Sequence, residues 1–182
     1  MNIILFGFKK CGKSTYGKKL AEALKLSFID TDQVLESLFE VEFNLKLPCR
    51  EIFQKVGERR FRLLEREAVL SLQEVHNSVI AVGGGSMLDP LIVTFLDQIG
   101  TLVYLKLNKE TVKKRLLSEP LPAYIDPNNP EESFEEHYEK RKERFDRIPA
   151  KILDLEGKDD KEVLNSLKEI YKKIGEKSHG EQ

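Results

Sequence analysis

Several things are scarce in this sequence of 182 residues, and each scarcity excludes a class of protein. Cysteine occurs only at Cys11 and Cys49, with no CxxC pair. A disulfide scaffold and a four-ligand zinc site both fail on that count, and a reducing intracellular compartment is the natural reading. An excess of one charge is missing too: 30 Lys+Arg stand against 31 Asp+Glu. That disfavours a strongly basic nucleic-acid binder. No apolar run approaches the length of a membrane span. The N-terminal stretch Ile3–Phe6 is too short for a signal peptide, and Lys9 and Lys10 follow it closely. What is present, 40% hydrophobic and 34% charged residues with a net charge of -1, allows one sizeable core and argues against disorder. The expectation is a cytoplasmic monomer with neither nucleic-acid nor membrane partner. It would form a single domain over 1–174 with a disordered polar tail at 175–182.

Short, nearly continuous apolar runs alternate with longer helical patterns. Asn2–Phe6, Ser27–Ile29, Val79–Val82, Thr101–Leu107 and Lys151–Leu155 read as buried parallel strands. Ser14–Leu24, about Pro48–Gln73, Pro90–Gln98, Lys109–Leu117 and Lys161–Ile174 read as helices, with Asp160 as the N-cap of the last. The β-α-β-α order predicts an α/β fold, a parallel sheet with helices on both faces. Ser118–Pro130 breaks the pattern and holds four of the seven prolines. It reads as an exposed loop able to serve as a lid, which would span about 116–130. A charged helix then runs to about Arg147, with Asn129 as expected N-cap and Pro130 at its first position.

The first strand leads into Gly7-Phe8-Lys9-Lys10-Cys11-Gly12-Lys13-Ser14, which fits GxxxxGK[ST]. In such a loop the backbone N–H groups and the positive end of the next helix face phosphate oxygens. Lys13 would reach the β- and γ-phosphates, and the Ser14 hydroxyl would ligate Mg²⁺. The alternative is a plain strand-to-helix turn. A regulatory GTPase is disfavoured, because Asn108-Lys109-Glu110-Thr111 lacks the carboxylate that reads guanine and no DxxG is in place. A small-molecule kinase fits the loop and the length.

Asp30-Thr31-Asp32 ends the second strand. Continued alternation would send both carboxylates to one side, near the carboxyl ends of the strands where α/β sheets bind ligands. One could hold magnesium through water and the other could help take a proton from an alcohol. Taken alone, Asp32 serves equally as a helix cap. Arg62 and Glu65 lie three apart, so the carboxylate can fix the guanidinium fork toward an anionic ligand. Taken alone, the pair reads better as a surface ion pair. Gly83-Gly84-Gly85 after the third strand fits either close approach to a ligand or a flexible turn.

Together these motifs, with Ile52-Phe53 and Gly57-Glu58 through Phe61-Arg62 to Glu65, resemble the shikimate kinase family in order and spacing. The resemblance runs from Asn2 to about Leu155 and is weakest after Leu116. It implies a five-stranded, three-layer fold of the nucleoside-monophosphate-kinase type with a mobile lid and a helical substrate-binding part at about 32–65. It implies transfer of the ATP γ-phosphate to the 3-hydroxyl of shikimate, in chorismate and aromatic amino-acid biosynthesis, with Mg²⁺. By the same resemblance Gly7 and Lys10, Cys11, Gly12, Lys13, Ser14 and Thr15 would line the ATP phosphates, and Arg115 would pack on adenine. Ser14 and Asp30 would serve the metal. Asp32, Arg62, Gly83, Gly84 and Arg141 would hold shikimate, with Lys13, Asp32 and Arg62 closest to the chemistry. Arg144 and Arg147 compete with Arg141 for its place. Two departures stand out. Lys10 occupies a glycine position, and Glu119-Pro120-Leu121-Pro122 replaces an Arg-Pro-Leu-Leu-like segment. Loss of that arginine would cost on the order of 10³ in rate unless Lys9, Lys10 or Arg115 substitutes, with Lys10 best placed in the loop. The alternatives are another small-metabolite kinase, acting on gluconate or a nucleoside monophosphate, and a weakly catalytic nucleotide-binding protein. The Arg62–Glu65 segment and the glycine triplet argue against the first, and only Glu119 favours the second.

Overall fold

The computed structural model describes residues 1–118 and 121–179. Its centre is β1 (Asn2–Phe6), whose residues are buried throughout because strands flank it on both sides and helices cover both faces. The other strands are β2 (Ser27–Asp30), β3 (Ser78–Ala81), β4 (Gly100–Lys106) and β5 (Lys151–Asp154). They pair in the order β2-β3-β1-β4-β5, all parallel, with Ile4 opposite Ile80 on one side and Leu102 on the other. Seven helices flank the sheet among the described residues: α1 (Lys13–Leu24), α2 (Thr31–Phe43), α3 (Cys49–Leu70), α4 (Pro90–Ile99), α5 (Lys109–Leu116), α6 (Pro130–Asp146) and α7 (Asp160–His179). The chain leaves β1 in one direction and later crosses back past it to β4. Right-handed crossovers therefore put α1 and the helices of the return path on opposite faces. The reversal opens a crevice at the carboxyl end of β1.

The five strands match their expected positions to within a residue or so. Three local expectations need correction. The segment at about 32–65 holds two helices, and the second breaks at Gly57, whose φ of 77° and ψ of 168° interrupt the helical backbone. Only glycine adopts that conformation cheaply, and the break lets both halves of α3 face the same cleft. Asp160 does not cap α7. Asp159 and Glu162 cap it reciprocally, each side chain accepting the other's backbone N–H at 2.8–2.9 Å. Asp160 instead accepts from the Tyr16 hydroxyl at 3.0 Å and pairs with Lys19, tying α7 to α1. Asn129 holds the expected N-cap position of α6 through its carbonyl, which accepts the Ser133 N–H at 3.0 Å, with no side-chain capping bond among the described residues. The expected tail from Gly175 is helical through His179, and residues 180–182 lie outside the described residues.

Two apolar clusters hold the fold. The main one joins the sheet to its helices. A smaller one, with Leu35, Phe39, Ile52, Phe61, Leu64 and Ala68, glues α2 to α3. Each of the larger side chains contributes ~1.5–3 kcal/mol on burial, so α2 and α3 are held to each other by a core of their own.

Candidate active site

The loop after β1 turns back on itself at the first turn of α1. The Lys13 ammonium spans it, donating to the Gly7 carbonyl at 3.1 Å and to that of Phe8 at 2.9 Å. Gly7 and Cys11 support the loop from behind rather than lining the cleft; Cys11 is buried. Lys10 adopts a φ of 62°, the left-handed conformation that glycine would take without strain. Its ammonium donates to the Ser118 carbonyl at 2.6 Å and hydroxyl at 3.1 Å, and its own carbonyl accepts from Arg115 at 3.2 Å. The loop is thereby tied to the C-terminal end of α5 and the residues just after it. Arg115 is otherwise exposed and outside the cleft wall. Glu119, the expected departure from an arginine, lies outside the described residues.

One residue separates two carboxylates with different duties. Asp30 ends β2 and caps α2, accepting the Asp32 backbone N–H at 3.1 Å; its other oxygen accepts from the Ser14 hydroxyl at 2.6 Å. The cap is therefore Asp30, and the alternative of a capping Asp32 does not hold. Strand alternation does not reach Asp32 either: it sits in the first turn of α2, and the helix start aims its side chain at the cleft. Its carboxylate borders open space, yet protein crowds its other sides. Loss of water there, reinforced by the Asp30 charge, pushes its pKa up to about 6 against the pull of Lys13.

Arg62 and Glu65 form a built unit and not a surface pair. Glu65 is buried, with 6% of its side chain exposed. One of its oxygens receives Arg62 Nη1 and the other accepts from the Ser86 hydroxyl at 3.0 Å. Ser86 was missed by sequence reasoning; its position directly after the glycine triplet is the only local hint. The triplet is there for close approach. A β-carbon on Gly83 would stand 2.8 Å from Asp32 Oδ1, and one on Gly84 3.0 Å from the Gly7 carbonyl oxygen. Thr31 holds this strand end in place by accepting the Gly83 N–H at 3.1 Å.

On α6 the helical face decides among the three arginines. Arg141 is 5% exposed and lines the cleft. Arg147 is exposed and pairs with Glu143 at 2.6 Å, and Arg144 is not in the cleft wall. Phe145, one turn on, anchors this register by packing edge-on to Phe6 and Phe8, with ring centroids 5.7 and 5.2 Å away. Arg141 makes no ion pair among the described residues. A nearly buried guanidinium without a carboxylate is costly unless an anionic ligand completes it.

The two carboxylates, the Arg62–Glu65 pair and Arg141 border one cleft of about 410 Å³. Lys10, Gly12, Lys13, Ser14 and Thr15 line it on the loop side, and Arg62, Gly83, Gly84, Gly85 and Arg141 line the acceptor side. Asp32 feels charges from both, Lys13 and Glu65 among them. A triphosphate cradle facing a cationic acceptor pocket, on this sheet topology, defines a small-molecule phosphate-loop kinase.

Comparison with known proteins narrows the class. The sequence profile of the shikimate kinase family, described as "Shikimate kinase", matches residues 9–174. The chain is 34% identical over 173 residues to the shikimate kinase of Caldanaerobacter subterraneus subsp. tengcongensis, covering 95% of this chain and 97% of that one. Its fold superposes on the shikimate kinase of Aquifex aeolicus with a TM-score of 0.75 at 27% identity, over 96% and 98% of the two chains. The Acinetobacter baumannii shikimate kinase, solved in complex with shikimate, matches with a TM-score of 0.78 at 26% identity, over 100% and 95%. The chain belongs to the shikimate kinase family, whose reaction is ATP-dependent phosphorylation of a hydroxyl of shikimate.

Proposed function

We propose that this chain transfers the γ-phosphoryl group of ATP to the 3-hydroxyl of shikimate, the chorismate-pathway step, with the residues above in named roles. The observation that carries the reading is the cationic acceptor end. Arg62 is fixed by the buried Glu65–Ser86 relay, and Arg141 is buried without a carboxylate partner; both border the same cleft as the phosphate loop. Two guanidinium groups on one small wall suit a carboxylate.

The Ser14 hydroxyl and Asp30 carboxylate offer only oxygen ligands, which fits a hard cation that keeps most of its water. When bound there, Mg²⁺ would neutralise charge on the β- and γ-phosphates. Lys13 brings a further positive charge to the loop. Arg62 and Arg141 grip the acceptor at a distance from its reacting hydroxyl, so binding energy at that end orients the hydroxyl for in-line attack. As the acceptor oxygen bonds to the γ-phosphorus, its proton passes to Asp32 and the bond to ADP breaks. An Asp32 pKa of about 6 suits that transfer: the group is mostly ionised at neutral pH yet basic enough to accept. Closure of the segment at about 116–130 would exclude water as a competing acceptor. The free thiols of Cys11 and Cys49 suit a reducing cytoplasm.

The test is shikimate-dependent ADP release by the purified chain with ATP and Mg²⁺. Lys13→Ala should abolish release while the melting temperature holds. ADP release that shikimate does not increase would sink the reading.

A further inference from the structure

Two donors near the acceptor end are enclosed by protein and have no hydrogen-bond partner among the described residues: the Tyr124 hydroxyl and Arg141 Nε. Their side chains touch. The guanidinium carbon of Arg141 lies 3.8 Å from the centroid of the Tyr124 ring, close enough for a stacked cation–π contact. Both residues border the cleft.

The position of Tyr124 is set by its surroundings. The turn that carries it is closed by the Ile125 N–H donating to the Pro122 carbonyl at 3.0 Å, with both residues buried. It is tied to α6 by the Asp126 N–H donating to the Ser133 hydroxyl at 3.1 Å. The His137 ring, one turn before Arg141, meets the Tyr124 ring edge-on at 5.1 Å and hydrogen-bonds the Tyr124 backbone. Burial, followed by the nearby Arg141 and Lys140 charges, lowers the His137 pKa and so favours the uncharged ring beside Arg141.

An enclosed hydroxyl and an enclosed guanidinium Nε–H without partners are each costly on their own. One anionic group supplied by the ligand satisfies both. A carboxylate offers about four lone-pair sites, enough for Arg62, Arg141 and one further donor. We propose that Tyr124 is an acceptor-positioning residue: its ring holds the Arg141 guanidinium against the cleft, and its hydroxyl donates to the carboxylate that Arg141 binds. This inference rests on the reaction assigned above and adds a residue from the lid segment to the acceptor site.

The experiment compares wild type, Tyr124→Phe and Tyr124→Leu in steady-state assays with shikimate and with its uncharged methyl ester, and measures ATP KM and melting temperature alongside. Tyr124→Phe keeps the stack and removes the donor. It should raise shikimate KM by about 10-fold, in line with a hydrogen bond to a charged group, and raise ester KM by much less, because the ester carbonyl is only a neutral acceptor. Tyr124→Leu also loses the stack and should raise shikimate KM by roughly 5-fold more. ATP KM and melting temperature should stay put in the Phe variant. A Phe variant that binds shikimate like wild type overturns the proposal, as does equal loss for acid and ester or an equal rise in ATP KM. A wild-type chain that ignores shikimate would overturn the reaction and this inference together. An active wild type with an unaffected Phe variant overturns this inference alone.

Discussion

Gly85 lies so close to Arg62 that a β-carbon on it would collide with Nη1 of the guanidinium. The obstacle is the far end of a flexible side chain, so the fold can yield at little cost while the aim of Arg62 is lost. Gly85→Ala should therefore leave the melting temperature within a few degrees and raise shikimate KM by about 10-fold, the loss of ~1.4 kcal/mol expected when a charged contact is displaced without being deleted. Melting curves and steady-state kinetics check both halves. A large drop in stability with normal KM would mean that the backbone, and not Arg62, absorbs the methyl group.

Arg62→Ala should lower kcat/KM for shikimate by ~2–4 kcal/mol, chiefly through KM, because it also leaves buried Glu65 without its cation. Ser86→Ala should act in the same direction at about a third of that size, since Glu65 keeps Arg62 but loses the bond that fixes its other oxygen. An effect under about half a kcal/mol for Arg62→Ala would return it to the rank of a surface pair.

The Asp32 pKa is raised in the folded chain, so the folded state holds this proton more tightly than the unfolded one. The ionised carboxylate is thus a cost to folding that is absent below about pH 4 and complete above the folded pKa of about 6. Asp32→Asn should stabilise the protein by ~1 kcal/mol at pH 8, after allowance for screening in the open cleft, and by nothing below about pH 4. Activity should move the opposite way. The wild-type kcat/KM should fall as pH drops through about 6, and Asp32→Asn should be nearly inactive. Thermal melts across pH and a pH–rate profile decide it. A stabilisation that is the same at pH 3 and pH 8 would rule out the ionisation as its cause.

Lys10 is positively charged, borders the loop side of the cleft and reaches Ser118. If its ammonium helps neutralise the transferring phosphoryl group, Lys10→Ala should lower kcat by about 10-fold with little loss of stability, because alanine keeps the same β-carbon at this left-handed position and the bonds lost to Ser118 are exposed. An unchanged kcat would leave Lys10 only its tie to Ser118.

Much of this was legible in the chain itself. The phosphate loop is contiguous, and its function depends on backbone shape and on side chains a few residues apart, which sequence displays directly. The parallel strands were legible because burial on both faces demands continuous apolar runs. The sheet order, the crevice and the meeting of α2, α3, α6 and the glycine triplet at one wall were decided only by tertiary packing. So were the finer assignments. A one-residue difference in where β2 ends makes Asp30 the cap and leaves Asp32 to face the cleft. The helical face that Phe145 anchors turns Arg141 to the cleft wall and leaves Arg144 out of it. The Ser86–Glu65 and Tyr124–Arg141 contacts join residues 21 and 17 positions apart. Local propensity carries no information about such pairs, because what brings them together is burial of the surfaces around them and not anything in their own neighbourhood of the chain.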